Sequence, residues 1–162
     1  SYIFTHKVIF SPDSQHILTN TSGDIILWDA ESGDVIYKIS QSASDNIALN
    51  FNGAYFVVEK DNILIKRDFL TGEIILSKDI PITTQDYSDV IHLDFNPVNH
   101  LLAISLYNHQ NPSVQIWDMD NLILLHTIPL KTQGRARFND EGNMIVTDMQ
   151  DGTVRIFGVP EG

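Results

Sequence analysis

A phenylalanine followed by a polar turn recurs four times along this chain. The copies are Phe10-Ser11-Pro12-Asp13, Phe51-Asn52-Gly53, Phe95-Asn96-Pro97 and Phe138-Asn139-Asp140-Glu141-Gly142, and their phenylalanines stand 41, 44 and 43 residues apart. A self-similar period of this length means stacked supersecondary units, each too small to bury its own apolar face alone. After each phenylalanine come an apolar stretch, a polar turn and a second apolar stretch with a recurring end. Those ends are Ile26-Leu27-Trp28-Asp29, Leu64-Ile65-Lys66-Arg67-Asp68, Gln115-Ile116-Trp117-Asp118 and Arg155-Ile156-Phe157-Gly158. A third stretch follows in Asp34–Ile39, Glu73–Leu76 and Leu122–Ile128.

The stretches are short, β-branched and aromatic, bounded by Gly, Pro, Asn, Asp and Ser, and many alternate, as Ile47, Leu49 and Phe51 do against Ala48 and Asn50. Alternation with a period of two is strand patterning, and no window sustains a helical stripe. The chain is therefore expected to be all-β. Each repeat reads as a four-stranded antiparallel meander, with turns at Gly23-Asp24, Ser32-Gly33-Asp34, Thr71-Gly72-Glu73 and Asp151-Gly152. No fourth stretch follows Phe157, so the last repeat supplies three strands.

Trp28-Asp29, Trp117-Asp118, Phe10-Ser11-Pro12-Asp13 and Asp151-Gly152-Thr153-Val154-Arg155-Ile156-Phe157 carry a resemblance to the WD-repeat β-propeller family, and it extends over the whole chain. The resemblance implies β-propeller blades, placed at about 1–40, 41–80, 81–129 and 130–162. Six residues before each Trp-equivalent the family favours Asp. Ser22, Asp61, Asn111 and Asp151 stand there, and each side chain can bond back to close a tight turn. Trp28, Asp29, Trp117 and Asp118 are the structural Trp-Asp positions. The Gly-His that usually precedes the first strand is absent from every repeat, and Arg67 and Phe157 replace the Trp in two. The buried polar networks of the family must then be incomplete, leaving more to apolar packing. The resemblance also implies seven or eight blades in a ring. Four blades would need further blades from a longer chain, self-association into an eight-bladed ring, closure as they stand, or pairing with another protein.

Composition excludes several chemistries. The chain has 162 residues, 10 Lys+Arg against 21 Asp+Glu, and a net charge of −11. Such a surface is repelled by phosphate backbones, which argues against nucleic acid as the main partner, although Lys131, Arg135 and Arg137 form a local basic group. Cys is absent, which removes disulfides, thiolate zinc sites, iron–sulfur clusters and a cysteine nucleophile. No apolar run approaches the ~18 residues that span a bilayer. No secretory leader is evident, and an intracellular location, cytoplasm or nucleus, is the default expectation. The sequence has no initiator Met, as expected of a processed terminus or part of a longer chain. One glycosylation sequon occurs, Asn20-Thr21-Ser22.

No catalytic constellation is found. The histidines form no His-x-x-x-His pair with a carboxylate, and no nucleophile elbow or phosphate-binding glycine loop is present. No cofactor or metal is expected. His92 and Asp94 share a strand face and read as a structural polar pair. Asp94 and Arg137, at equivalent positions of neighbouring repeats, are expected to meet. The chain is therefore read as a non-catalytic protein–protein interaction scaffold, a subunit of a multiprotein complex; the alternative is an enzyme or small-ligand propeller with a site in the central channel. Partner contacts are expected on the loops joining second to third strands and one blade to the next, with Lys60, Asp86, Tyr87, Tyr107, His109, Arg135 and Gln150 as candidates.

Overall fold

The computed structural model describes residues 5–21, 23–40, 46–82 and 88–159. Among the described residues it has fifteen strands and no helix, hence none long and apolar enough to cross a membrane. The chain divides into two compact units, Ser1–Lys78 and Asp79–Gly162.

The first unit holds two antiparallel sheets. One runs β1 (Thr5–Phe10), β2 (His16–Thr21), β3 (Asp24–Asp29) and β4 (Val35–Ser40) in sequence order. The other runs β5 (Ile47–Leu49), β6 (Tyr55–Lys60), β7 (Ile63–Asp68) and β8 (Ile74–Asp79). The second unit repeats the plan with β9 (Ser88–Phe95), β10 (Leu101–Asn108), β11 (Ser113–Asp118) and β12 (Ile123–Pro129). Its other sheet has three strands, β13 (Gly134–Phe138), β14 (Met144–Met149) and β15 (Val154–Gly158). Neighbours in sequence are neighbours in space, because two- to five-residue turns leave an antiparallel strand nowhere else to pair.

Side chains close the turns between first and second strands. The Asn50 carboxamide oxygen accepts from the Tyr55 N–H at 3.1 Å, and that of Asn139 from the Met144 N–H at 2.9 Å. At the same place in the first sheet the Ser11 hydroxyl accepts from the His16 N–H at 2.9 Å. These bonds also correct the repeat alignment. Ser11, Asn50, Asn96 and Asn139 donate their N–H groups in the same pattern, to His16, Tyr55, Leu101 and Met144. Leu49, not Phe51, is thus the equivalent of Phe10, Phe95 and Phe138; Phe51 sits in the turn because Asn50 takes the capping position.

The Asp of each Trp-Asp pair caps the next turn. Asp29 accepts from the N–H groups of Glu31 and Ser32, at 3.0 and 2.7 Å, and Asp118 from that of Asp120 at 2.9 Å. Asp68, after Arg67, does the same for Leu70 and Thr71. The Ser32 bond foremost holds the Asp29 carboxyl below the ordinary carboxylate range. Gly33 and Gly72 end these turns at φ +76° and +71°, where a side chain would be strained.

Both units close around apolar clusters. Leu18, Ile25, Leu27, Ile47, Phe56, Val58 and Phe69 form the first, and Ala103, Val114, Ile116, Leu130, Ala136, Ile145 and Met149 the second. Polar bolts accompany this packing. In the second unit the buried Ser105 hydroxyl accepts from the Ala136 N–H at 2.9 Å, and the Asn96 amide donates to the Gly142 carbonyl at 2.8 Å. Asp94 accepts from the Phe138 N–H at 2.8 Å. The expected encounter of Asp94 with Arg137 is thus made one residue on, through a backbone amide, while the Arg137 side chain is exposed. In the first unit Lys7 donates to the Ile47 carbonyl at 2.7 Å.

The two tryptophans find partners other than the absent histidine. Trp28 Nε1 donates to Thr19 Oγ1 at 2.9 Å, and the buried Trp117 Nε1 to Gln115 Oε1 at 2.9 Å. Arg67 lies in the Trp place with Nη1 donating to the Gly72 carbonyl at 2.8 Å, and burial lowers its pKa. The sequon is excluded as an acceptor in the folded chain. Asn20 is buried in β2, paired with both Lys7 and Ile25, so no transferase reaches its amide.

Candidate functional site

The loops of the second unit sort into two ends. At one end lie the turns joining second to third strands and the connection between its sheets; at the other lie the turns joining first to second and third to fourth strands. Four sequence candidates of this unit belong to the first end. Tyr107 is the next-to-last residue of β10, paired with Asp89 of β9, so it is strand rather than loop. The ladder runs to Asn108, whose side-chain oxygen then accepts from the N–H groups of Gln110 and Asn111 at 2.8 and 3.0 Å, closing a loop of four residues, 109–112. The Tyr107 hydroxyl meets the exposed His109 ring at 2.8 Å, with the two rings edge to face at 4.8 Å.

Arg135 and Gln150 meet at a separate shallow cavity of about 220 Å³, with Ile91, Gln133, Asp148 and Met149 around it. Its shape follows from Gly134, where any Cβ would collide with the Asp148 carbonyl. The close strand approach lets Asp148 accept from the Arg135 N–H at 2.7 Å, leaving the guanidinium exposed. The structure therefore brings Tyr107 to His109 and sets Arg135 and Gln150 around one cavity. Lys60, in the first unit, ends β6 beside its own turn. Asp86 and Tyr87 lie outside the described residues.

The structural turn positions divide. Asp151 accepts from Thr153 N–H and Oγ1, at 2.9 and 2.6 Å, and these bonds hold its carboxyl below the ordinary range. At Asp61, with φ +52°, the turn amide of Asn62 is bonded by Glu59 at 2.8 Å, and beside Asn111 the loop is closed by Asn108. Ser22 lies outside the described residues; next to it, Thr21 Oγ1 accepts from the Asp24 N–H at 3.1 Å. A hydroxyl or carboxamide near a strand end was the sequence signal, but several neighbours satisfied it.

At the opposite end lies a cavity of about 760 Å³ that no sequence candidate marked as a site. Leu101, Ile116 and Val159 are among the apolar residues of its wall, and Asp118, Asp120 and Glu141 stand around it with His100 and His126. Asp120 lies 3.7 Å from His100 Nδ1. Of these, Asp118 is the structural Trp-Asp position read from the sequence. Among the described residues no three His, Cys, Asp or Glu side chains form a group that could hold a metal ion.

The repeated four-stranded antiparallel sheets, the Asp-capped turns and the side-chain bolts between sheets define the fold of WD-repeat β-propeller blades. Solved structures share it. The Cps50 (Swd1) β-propeller domain of Myceliophteria thermophila superposes with a TM-score of 0.80 at 16% identity, covering 98% of this chain and 54% of that one. The structure of U3-55K superposes with a TM-score of 0.75 at 19% identity, covering 98% and 52%. The chain spans about half the length of these solved chains. No protein-family profile matches it, and no curated protein does.

Proposed function

We propose that this chain is a non-catalytic interaction scaffold whose partners include other proteins, and that its four blades form part of a larger ring. The single observation behind the scaffold reading is the end of the second unit where Tyr107 and Arg135, at strand ends, stand beside His109 and Gln150 on turns closed by strand ladders and side-chain caps. Tyr and Arg join large contact area to polar reach, and rigid placement lowers the ordering cost of binding. Partner enrichment from cells, quantified by mass spectrometry, tests the reading. Tyr107→Ala with Arg135→Glu should remove a defined set of partners at unchanged thermal stability. If the partner set is unaltered, the reading fails.

Two exposed apolar faces support the larger ring. Val8 and Phe10 lie on one face of β1, 57% and 60% exposed. On the three-stranded sheet, Val146 pairs with Ile156, and Ile156 and Val154 are 68% and 65% exposed. Apolar faces of this kind on adjacent strands mark surfaces meant to be covered. Further blades, from the same polypeptide or a second copy, would cover both. Light scattering of this chain after size exclusion should give aggregates or about twice its mass of 18.3 kDa; a stable soluble monomer would refute it.

A further inference from the structure

The 760 Å³ cavity has a smaller counterpart of about 340 Å³ at the equivalent junction of the first unit. Phe69 and Val159 hold the same place in their sheets, since each donates its N–H to the residue that begins the second strand's approach, Ala54 or Asn143. Tyr37 and His126 also correspond, because Leu27 pairs with Tyr37 as Ile116 pairs with His126. In the first unit these places carry two aromatic rings. The Tyr37 hydroxyl donates to the Phe69 carbonyl at 2.9 Å, and burial raises its pKa, so it stays protonated as a donor. The buried Phe69 ring meets His16 edge to face at 5.9 Å. In the second unit a histidine and a valine stand instead, and both line a cavity of about 760 Å³, against about 340 Å³ for the one beside Phe69.

The lining of that cavity has one sign of charge. Asp118, Asp120 and Glu141 contribute three carboxylates, and among the described lining residues there is no Lys or Arg. Asp118 accepts from the Asp120 N–H and Glu141 from the Asn139 side chain, Asp120 stands 3.7 Å from His100 Nδ1, and all three carboxylates have lone pairs left for another donor. Val98 and Leu125 stand at the wall 55% and 46% exposed. A purely apolar occupant would strip water from these acids without compensation. An acidic occupant would be repelled. A bulky apolar side chain with a cation beside it satisfies both the wall and the acids, and the net charge of −11 draws it in. The volume lies in the range of about 300–1,000 Å³ typical of binding cavities.

We propose that this cavity is the docking site for a segment of a partner protein that presents a bulky apolar side chain next to Lys or Arg. The proposal rests on the scaffold reading and assigns it a second contact surface, at the end opposite Tyr107. The test uses an array of immobilised decapeptides with Leu, Met, Phe or Trp at the centre, flanked by Arg/Lys, by Asp/Glu or by Ser/Asn. Retained peptides are then titrated in solution by fluorescence anisotropy. Basic-flanked members should be retained and acidic-flanked ones not. His126→Tyr with Val159→Phe, which installs the larger side chains of the first unit's narrower junction, should weaken binding at least tenfold. Asp120→Asn with Glu141→Gln, at surface positions that do not hold the fold, should weaken it and flatten its salt dependence. Tyr107→Ala should leave it unchanged. Retention indifferent to flanking charge, or full binding by both double variants, overturns the proposal. If the array is silent while Tyr107 and Arg135 variants still lose cellular partners, the cavity is rejected and the scaffold reading stands.

Discussion

Ser105→Ala probes how one sheet of the second unit is fixed to the next. Ser105 pairs within its own sheet with His92 and Val114, while its hydroxyl reaches the N–H of Ala136 in β13 at 2.9 Å. Ser105 and Ala136 are both 0% exposed, so no water can replace the lost acceptor. Loss of an ordinary hydrogen bond costs about 1 kcal/mol, but a buried donor left unmet costs about 1–3 kcal/mol. Alanine recovers a little by burying no hydroxyl, which sets the expected loss at about 2 kcal/mol. For a chain of this length that corresponds to a fall of about 4–8 °C in Tm. In urea, the midpoint should fall with the slope unchanged. The Ala136 amide should exchange with solvent about 30-fold faster, since 1.36 kcal/mol is a factor of ten. Ser77→Ala on the exposed face of β8 is the control and should be neutral. A loss under about 0.5 kcal/mol, or an equal loss in the control, would refute the claim that this bond is buried and unreplaced.

Gly142→Ala and Gly152→Ala should separate strain from collision. Both glycines have positive φ, +68° and +79°, but a Cβ at Gly142 strikes the Asn96 amide whereas one at Gly152 meets open space. Thermal melts should show about 1 kcal/mol lost at Gly152 and about 3 kcal/mol at Gly142. Trp117→Phe should cost about 2 kcal/mol, because it leaves the Gln115 carbonyl buried and unmet; Trp28→Phe, at a half-buried site, should cost under about 1 kcal/mol in the same denaturant titration. Asp13, Asp24, Asp29 and Asp151 all have lowered pKa values, owing first to the Ser11 hydroxyl, the Lys38 ammonium, the Ser32 backbone and the Thr153 hydroxyl. A depressed folded pKa adds stability that is full above the unfolded value of about 3.9 and is lost as pH falls through the folded one. Tm should therefore be flat above about pH 5 and drop below about pH 4, and Asp29→Asn should make that drop shallower; an acid limb identical to wild type would contradict the capping role.

The repeat was legible because its causes are local. Alternating apolar residues make strands, Asp after Trp caps the next turn, and Gly33 and Gly72 permit the backbone that a tight turn needs. All of these act over a few residues, so sequence alone determined the all-β class and the meander. Where a signal was shared by neighbours, local reading slipped. Phe51 matched the pattern, but Asn50 took the cap and moved the register by two, to Leu49. Asp61 and Asn111 were chemically suited to their turns, yet Glu59 and Asn108 were better placed to bond them. The contacts between sheets could not be read from the sequence, because they join residues far apart along the chain. Asp94 faced Arg137 in the alignment, but the geometry gave its carboxylate to the Phe138 amide, 44 residues away. The cavity is the clearest case: His126 and Val159 are unremarkable letters until packing sets them where Tyr37 and Phe69 stand in the first unit.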